Sequence, residues 1–207
     1  MVKVKICGIT SIDDALGACD AGADALGFVF YEKSPRWIAP ESAASIVSEL
    51  PPFVARVGVF VDSPLETVRQ IMSFCHLNVA QLHGEESPEY CNYLLPGVVK
   101  AFRVRDGKLP ERVEVYSVPT YLLDAYNPGL PGGTGETFDW GIAMEFALAR
   151  RVILAGGLTP SNVGRAVAAV KPYGVDVSSG VESSPGKKDA VLVRAFIKSV
   201  KGVDNEE

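Results

Sequence analysis

Eight short runs rich in Val, Ile, Leu and Phe recur along the chain, each followed by a segment with helical spacing. They fall at residues 2–7, 25–30, 54–61, 78–82, 98–102, 120–123, 152–155 and 175–178. Successive runs start roughly 20–30 residues apart, the span of a strand, a crossover helix and their connections. Strands joined in this way pair in parallel, and eight such units suggest a closed (β/α)8 or TIM barrel of the α/β class. At 207 residues the chain is at the low end for that fold, so its loops must be short. The competing architecture is an open doubly wound sheet, whose first turn would be expected to read GxGxxG if it bound a dinucleotide. Here that turn reads Cys7-Gly8-Ile9-Thr10. Apart from a glycine–proline loop at 128–135, no linker, tandem repeat or low-complexity tract interrupts the pattern, and residues 1–207 read as one domain.

Helix start signals fit the scheme. Ser63-Pro64-Leu65-Glu66 reads as a capping box with Pro at the first helical position. Ser87-Pro88, Thr159-Pro160 and Ser11 before Asp13-Asp14 offer the same chemistry, a hydroxyl for an orphan amide and acids for the helix dipole. Between the fifth and sixth runs the signal fails: Gly107, Pro110 and Pro119 leave room only for a short or irregular crossover near 111–116.

The formal charge of −5 comes from intermixed acids and bases without a basic stripe, which argues against nucleic acid as a partner. No amino-terminal apolar leader and no bilayer-length apolar run are present, so no membrane partner is expected. Cys7, Cys19, Cys75 and Cys91 show no CxxC spacing, which points to a reducing cytoplasm. With only two histidines, a multi-histidine metal site is not expected.

In a barrel, chemistry gathers at the carboxyl ends of the strands. Side chains alternate along the first run, so Val2, Val4 and Ile6 face one way while Lys3, Lys5 and Cys7 face the other. Cys7 then stands at the rim as a candidate base, although an unpaired cysteine is often a small buried apolar residue. Asp124 ends the sixth run beneath a lid at 125–137; burial there would raise its pKa and make it a candidate acid, the alternative being a cap. Gly156-Gly157 and Ser178-Ser179-Gly180 follow the seventh and eighth runs, the usual barrel phosphate site, although Gly-Gly also makes a plain tight turn. Arg36 offers a fork for a carboxylate or phosphate, or is a surface charge. Trp37 beside it either packs on an aromatic ligand or covers the rim. Gln81 and His83 end the fourth run, His83 as a ligand contact or a strand cap, whereas His76 is expected at the far end of the barrel in a structural role. Lys5, Arg56, Lys100 and Asp176 lie within strands and are expected to form one charge network inside the barrel.

Ordered motifs then add a resemblance. Lys5-Ile6-Cys7-Gly8-Ile9-Thr10, Gly27-Phe28-Val29-Phe30-Tyr31, Ser34-Pro35-Arg36 and Gln81-Leu82-His83-Gly84 resemble the phosphoribosylanthranilate isomerase family. So do Leu123-Asp124, Gly132-Gly133-Thr134-Gly135, Phe138-Asp139-Trp140 and Gly156-Gly157-Leu158-Thr159-Pro160-Ser161-Asn162-Val163. Asp176-Val177-Ser178-Ser179-Gly180-Val181-Glu182 and Gly186-Lys187-Lys188-Asp189 complete a series that covers essentially the whole chain. Trp37 departs from it, since tyrosine would be expected there more often.

The resemblance implies a cofactor-free, metal-free TIM barrel of tryptophan biosynthesis acting on a phosphosugar. Its reaction is the Amadori rearrangement of N-(5′-phosphoribosyl)anthranilate to 1-(o-carboxyphenylamino)-1-deoxyribulose 5-phosphate. It implies Cys7 as general base, Asp124 as general acid, phosphate around Gly156, Gly157, Ser178, Ser179 and Gly180, and Arg36 facing the anthranilate carboxylate, with Gln81 and His83 in the substrate site. A monomer is expected, with a homodimer as the alternative. The enzyme runner-up is the histidine-pathway aminoaldose isomerase, which would be expected to carry an acid where this chain has Cys7. The runner-up of another class is a non-catalytic anion-binding barrel with Cys7 as inert packing.

Overall fold

The computed structural model describes residues 1–104, 108–124 and 140–203. The lid at 125–137 and the motif residues 132–135 and 138–139 lie outside them. Eight strands, β1 (Lys3–Cys7), β2 (Ala25–Val29), β3 (Ala55–Phe60), β4 (Val79–Leu82), β5 (Val98–Arg103), β6 (Thr120–Asp124), β7 (Val152–Ala155) and β8 (Gly174–Val177), pair in that order into a closed parallel barrel. The crossovers carry α1 (Ile12–Asp20), α2 (Pro40–Ser48), α3 (Leu65–Phe74), α4 (Pro88–Asn92), α5 (Trp140–Ala149) and α6 (Val163–Val170), and α7 (Ala190–Val203) closes the chain. After β8 come a 3-10 turn at Ser179–Val181 and a small antiparallel hairpin, β9 (Glu182–Ser184) and β10 (Lys187–Lys188).

Two layers follow from strand alternation. The outward set, including Val4, Ile6, Leu26, Phe28, Phe60 and Leu123, joins Ala15, Val68, Val167 and Phe196 of the helices in one apolar core. Each fully buried side chain of this kind contributes about 1.5–3 kcal/mol. The barrel interior holds smaller clusters, Val99 with Ala101, Leu122 and Ala155, and Cys7 with Val29 and Val59. Polar side chains therefore sit inside the barrel without interrupting the main core.

Helix starts agree with expectation where the cap is local. Ser11 accepts from the Asp14 amide and Ser87 from the Tyr90 amide. Ser63 and Thr159 do not cap. Pro64 precedes α3 without a side-chain cap, and the Ser63 carbonyl accepts from the Tyr90 hydroxyl. α6 starts three residues later than Pro160, after a turn in which the Asn162 side chain accepts from the Thr159 amide and donates to the Gly157 carbonyl.

The expected single charge network divides in two. Lys5 and Asp176 face inward and pair at 2.9 Å. Lys100 belongs with Val98 and Phe102, which face the outer layer, and its ammonium pairs with Glu86 at 3.0 Å beside the Phe102 and Tyr116 rings. Arg56 shares the outward parity of Phe60 and is likewise no part of an interior network. The short crossover is a 3-10 helix at Glu111–Val115, and its volume is filled by Tyr116 and Tyr121 packed on Phe102. Tyr116 donates to the Glu86 carbonyl, so the aromatic group and the ion pair form one plug where a longer helix would pack elsewhere.

Glu86→Ala leaves a buried ammonium without its carboxylate and is expected to cost about 3–5 kcal/mol in urea unfolding, whereas Lys100→Met with Glu86→Leu recovers most of it. A single-variant loss under about 1 kcal/mol would show that the pair does not hold this side of the barrel.

Candidate active site

Cys7 ends β1 with its side chain turned into the barrel mouth, packed on Val29, Val59 and Tyr31. Lys5, one inward position below, approaches it from beneath. A Cβ on Gly27 would lie 2.8 Å from the Cys7 sulfur and 3.0 Å from the Lys5 ammonium, so β2 must be bare there. Burial pushes the Cys7 thiol above its ordinary pKa; Lys5 pulls it back, Asp176 pushes it up and Lys188 pulls it down. Desolvation thus outweighs the lysines at this thiol, although a thiolate base is favoured by a lowered pKa.

Arg36 and two residues not singled out as site residues from the sequence complete this side. Arg36 donates through Nε and Nη2 to Glu182 at 2.8 and 2.7 Å, a fork-to-fork pair. Lys188, buried on β10, donates to the same carboxylate at 2.8 Å and to the Cys7 carbonyl at 2.6 Å. Its backbone amide donates to Asp14 of α1. Burial pushes the Glu182 carboxyl up, but the hydrogen bonds from Arg36 and Lys188 outweigh this and hold it below the usual range. Gly8, at φ 77°, passes so close to Arg36 and Ser178 that a side chain would strike both. Trp37 is 44% exposed and its backbone bridges Val29, which places it on the outer rim.

Across the mouth, Asp124 ends β6 facing inward, with Oδ2 3.2 Å from His83 Nε2. His83 Nδ1 in turn lies 3.2 Å from the Gln81 amide nitrogen. Gln81 is buried and its Oε1 has no partner among the described residues. Gln81 thus reaches Asp124 through His83. A cavity of about 640 Å³ opens beside His83, lined also by Tyr31, Glu85, Arg103 and Arg112. Arg103, at the end of β5 in register with Asp124, also escaped the sequence reading. His76 takes φ 51° in the turn before β4, as expected for a structural position at the far end.

Between these two sides lie the glycine loops. Gly156 and Gly157 both take positive φ, 87° and 64°. A Cβ on Gly180 would collide with the Leu158 carbonyl oxygen, so the loops after β7 and β8 touch. Ser178 Oγ is buried without a partner among the described residues. Neither loop runs straight into an α-helix: the Asn162-stapled turn separates Gly157 from α6, and Gly180 sits in a 3-10 turn. Around the barrel the order is Asp124 on β6, the loops of β7 and β8, then Cys7 on β1. The loops of β7 and β8 are therefore flanked on one side by a carboxyl and on the other by a thiol.

Comparison with known proteins bears on the chain as a whole. A family model described as N-(5′-phosphoribosyl)anthranilate (PRA) isomerase matches residues 4–199. The N-(5′-phosphoribosyl)anthranilate isomerase of Pelobacter propionicus is 54% identical over 206 residues, 100% of this chain and 99% of that one. The crystal structure of phosphoribosyl anthranilate isomerase from Thermotoga maritima has a TM-score of 0.89 at 48% identity, over 98% of this chain and 100% of that one. A phosphoribosyl anthranilate isomerase in complex with reduced 1-(o-carboxyphenylamino)-1-deoxyribulose 5-phosphate reaches 0.86 at 46% identity, with the same coverage.

Glu182 provides a pH test of the network behind Arg36. Its folded pKa lies below the ordinary 4.5, so its contribution is complete above 4.5 and is lost as pH falls through the depressed folded value. The stability gap between the parent and Glu182→Gln in denaturant unfolding is expected to be widest near neutrality and to close in that acidic window; a gap independent of pH would refute the assignment.

Proposed function

Because the chain belongs to the N-(5′-phosphoribosyl)anthranilate isomerase family and isomerises that compound in tryptophan biosynthesis, we propose that Asp124 and Cys7 divide its proton transfers. The observation that carries this reading is the order of the rim, with the anion loops of β7 and β8 between the two groups. A 5′-phosphate held on the Gly156–Gly157 and Ser178–Gly180 loops pins the sugar so that its ring spans from β6 to β1. Asp124 then gives its proton to the furanose ring oxygen, the C1′–oxygen bond breaks, and the nitrogen lone pair forms the Schiff base. Cys7 as thiolate takes the C2′ proton, leaving an enolamine that tautomerises to the aminoketone. Each transfer contributes on the order of 10²–10⁴ in rate.

Asp124 as a protonated acid needs a partner that accepts its hydrogen or leaves it free. His83 accepts at Nε2 when its proton is on Nδ1, and the Gln81 amide, turned over so that Oε1 faces Nδ1, receives that N–H. In the other tautomer, with its proton on Nε2, the same ring donates to the carboxylate form of Asp124 while Nδ1 accepts from the Gln81 amide nitrogen. Gln81 and His83 thus support the acid. Arg36, with Nε and Nη2 held by Glu182, presents Nη1 to the anthranilate carboxylate.

Residues 1–207 are read as one domain working in the cytoplasm. Among the described residues no helix is long and apolar enough to cross a membrane. The exposed apolar side chains Phe53, Leu148 and Val191 lie in the loop before β3, on α5 and on α7, a spread that supports a monomer; a doubled mass in sedimentation would support a homodimer instead.

Decay of anthranilate fluorescence on freshly made substrate tests the assignment. Cys7→Ala and Asp124→Asn are expected to lose turnover by at least about 10³ while retaining the fold and binding of the reduced product analogue. Near-parental kinetics in either would remove that residue from the mechanism. Arg36→Ala is expected to raise KM more than it lowers kcat, and an unchanged KM would show that Arg36 does not hold substrate.

A further inference from the structure

The interior of the barrel directly below Cys7 contains a charge pair that the acid–base scheme does not use. Lys5 and Asp176 sit opposite one another in the β1–β8 register, both buried, with the ammonium 2.9 Å from the carboxylate. The same ammonium converges with the Cys7 sulfur over Gly27, where the bare backbone of β2 allows both to enter one space. A buried lysine satisfied by one carboxylate has no structural need of a thiol. A thiol that must ionise inside a low-dielectric wall does need a cation.

We propose that Lys5 is a positioning residue for the Cys7 base, its single charge shared between Asp176 and the sulfur, with Asp176 setting how much of that charge the sulfur receives. This rests on the reading of Cys7 as base. When Cys7 is a thiol, Lys5 is held by Asp176. When Cys7 ionises, the ammonium moves its hydrogen bonding toward the thiolate without leaving the pocket. The pair therefore stores a cation beside the base and keeps it from neutralising. Burial pulls the Lys5 ammonium down, but Asp176 and Cys7 outweigh it and hold its pKa above the ordinary value, in keeping with a permanent charge.

Other charges bear on the sulfur from the elements around it. Lys188 on β10 lowers the thiol pKa from the hairpin side, but its ammonium is committed to Glu182 and the Cys7 carbonyl. Arg36 also feels the thiol, but its fork is taken by Glu182. Tyr31 packs on the same cluster through its ring. Lys5 is the inward-facing cation on the strand of Cys7 itself, and Asp176 the inward-facing acid on the adjoining strand.

The test is the pH dependence of alkylation at Cys7 by a small haloacetamide, located by peptide mass so that Cys19, Cys75 and Cys91 do not contribute. Asp176→Asn is expected to move the midpoint to lower pH, because Lys5 is then free to face the sulfur. Adding Lys5→Met to Asp176→Asn is expected to move it back up by about 1–3 units relative to Asp176→Asn alone. The acid limb of the kcat–pH profile should shift the same way, which a loss of packing alone would not produce. Coincident midpoints in the single and double variants would overturn the proposal. If the double variant does not fold, an unchanged midpoint in Asp176→Asn relative to the parent does so. A midpoint that shifts as expected while Cys7→Ala retains turnover would uphold the charge sharing and defeat only the base assignment.

Discussion

The register in which β8 meets β1 decides what the rim can do. Val4 and Ile6 of β1 stand opposite Val175 and Val177 of β8, all four pointing into the outer apolar layer. A slip of one residue would turn that set toward the mouth and drive Lys5 and Asp176 into the hydrocarbon, where an unpaired charge is not tolerated. The apolar layer thus enforces the register, and the polar interior inherits it. Lys5 meets Asp176, Cys7 comes up beside Ser178, and the loops of β1 and β8 share a wall at Gly8.

The mouth that results is electrostatically uneven. On the β8–β1–β2 side stand three cations, Lys5, Lys188 and Arg36, balanced by Asp176 and Glu182. On the β4–β6 side the carboxyl of Asp124 meets the His83 imidazole, which the Gln81 amide meets in turn, and Arg103 ends β5 in register with Asp124. In the proposed mechanism the anion and the departing carbon-bound proton are handled beside Lys5, Lys188 and Arg36. A proton is delivered where the environment can exist in two hydrogen-bonded arrangements of equal charge. One fold supplies both surroundings because adjacent strands end at one level while their loops differ.

Much of this was legible in the chain. The strands could be read because their apolar alternation is local, and Ser11 and Ser87 cap because the hydroxyl and the amide it serves are three residues apart. Ser63 and Thr159 carry the same pattern but are overruled by contacts from α4 and by the Asn162 staple, which no local rule contains. Cys7, Arg36 and Asp124 could be found because each ends a strand or follows one. Glu182 and Lys188 lie within recognisable motifs, yet their importance comes from partners 146 and 181 residues away. Arg103 was legible by parity, continuing the inward series of Val99 and Ala101. The same count places Lys100 with Val98 and Phe102 on the outer face, and it was there to be made.

The hairpin at β9–β10 has a consequence for how the protein comes off the ribosome. Residues 182–188 brace the first turn of the barrel, with Thr10 donating to the Gly186 carbonyl, Asp14 receiving the Lys188 amide and the Lys188 ammonium seated on the Cys7 carbonyl. Segments made early and late meet at one spot, a closure over 181 residues and therefore a late one during synthesis. Nascent chains that have extruded most of the barrel still hold their thiol in an open, unbraced cleft. Competence for the proposed chemistry then arrives only once residues 182–188 are made, so a chain stopped before them would be silent as well as incomplete.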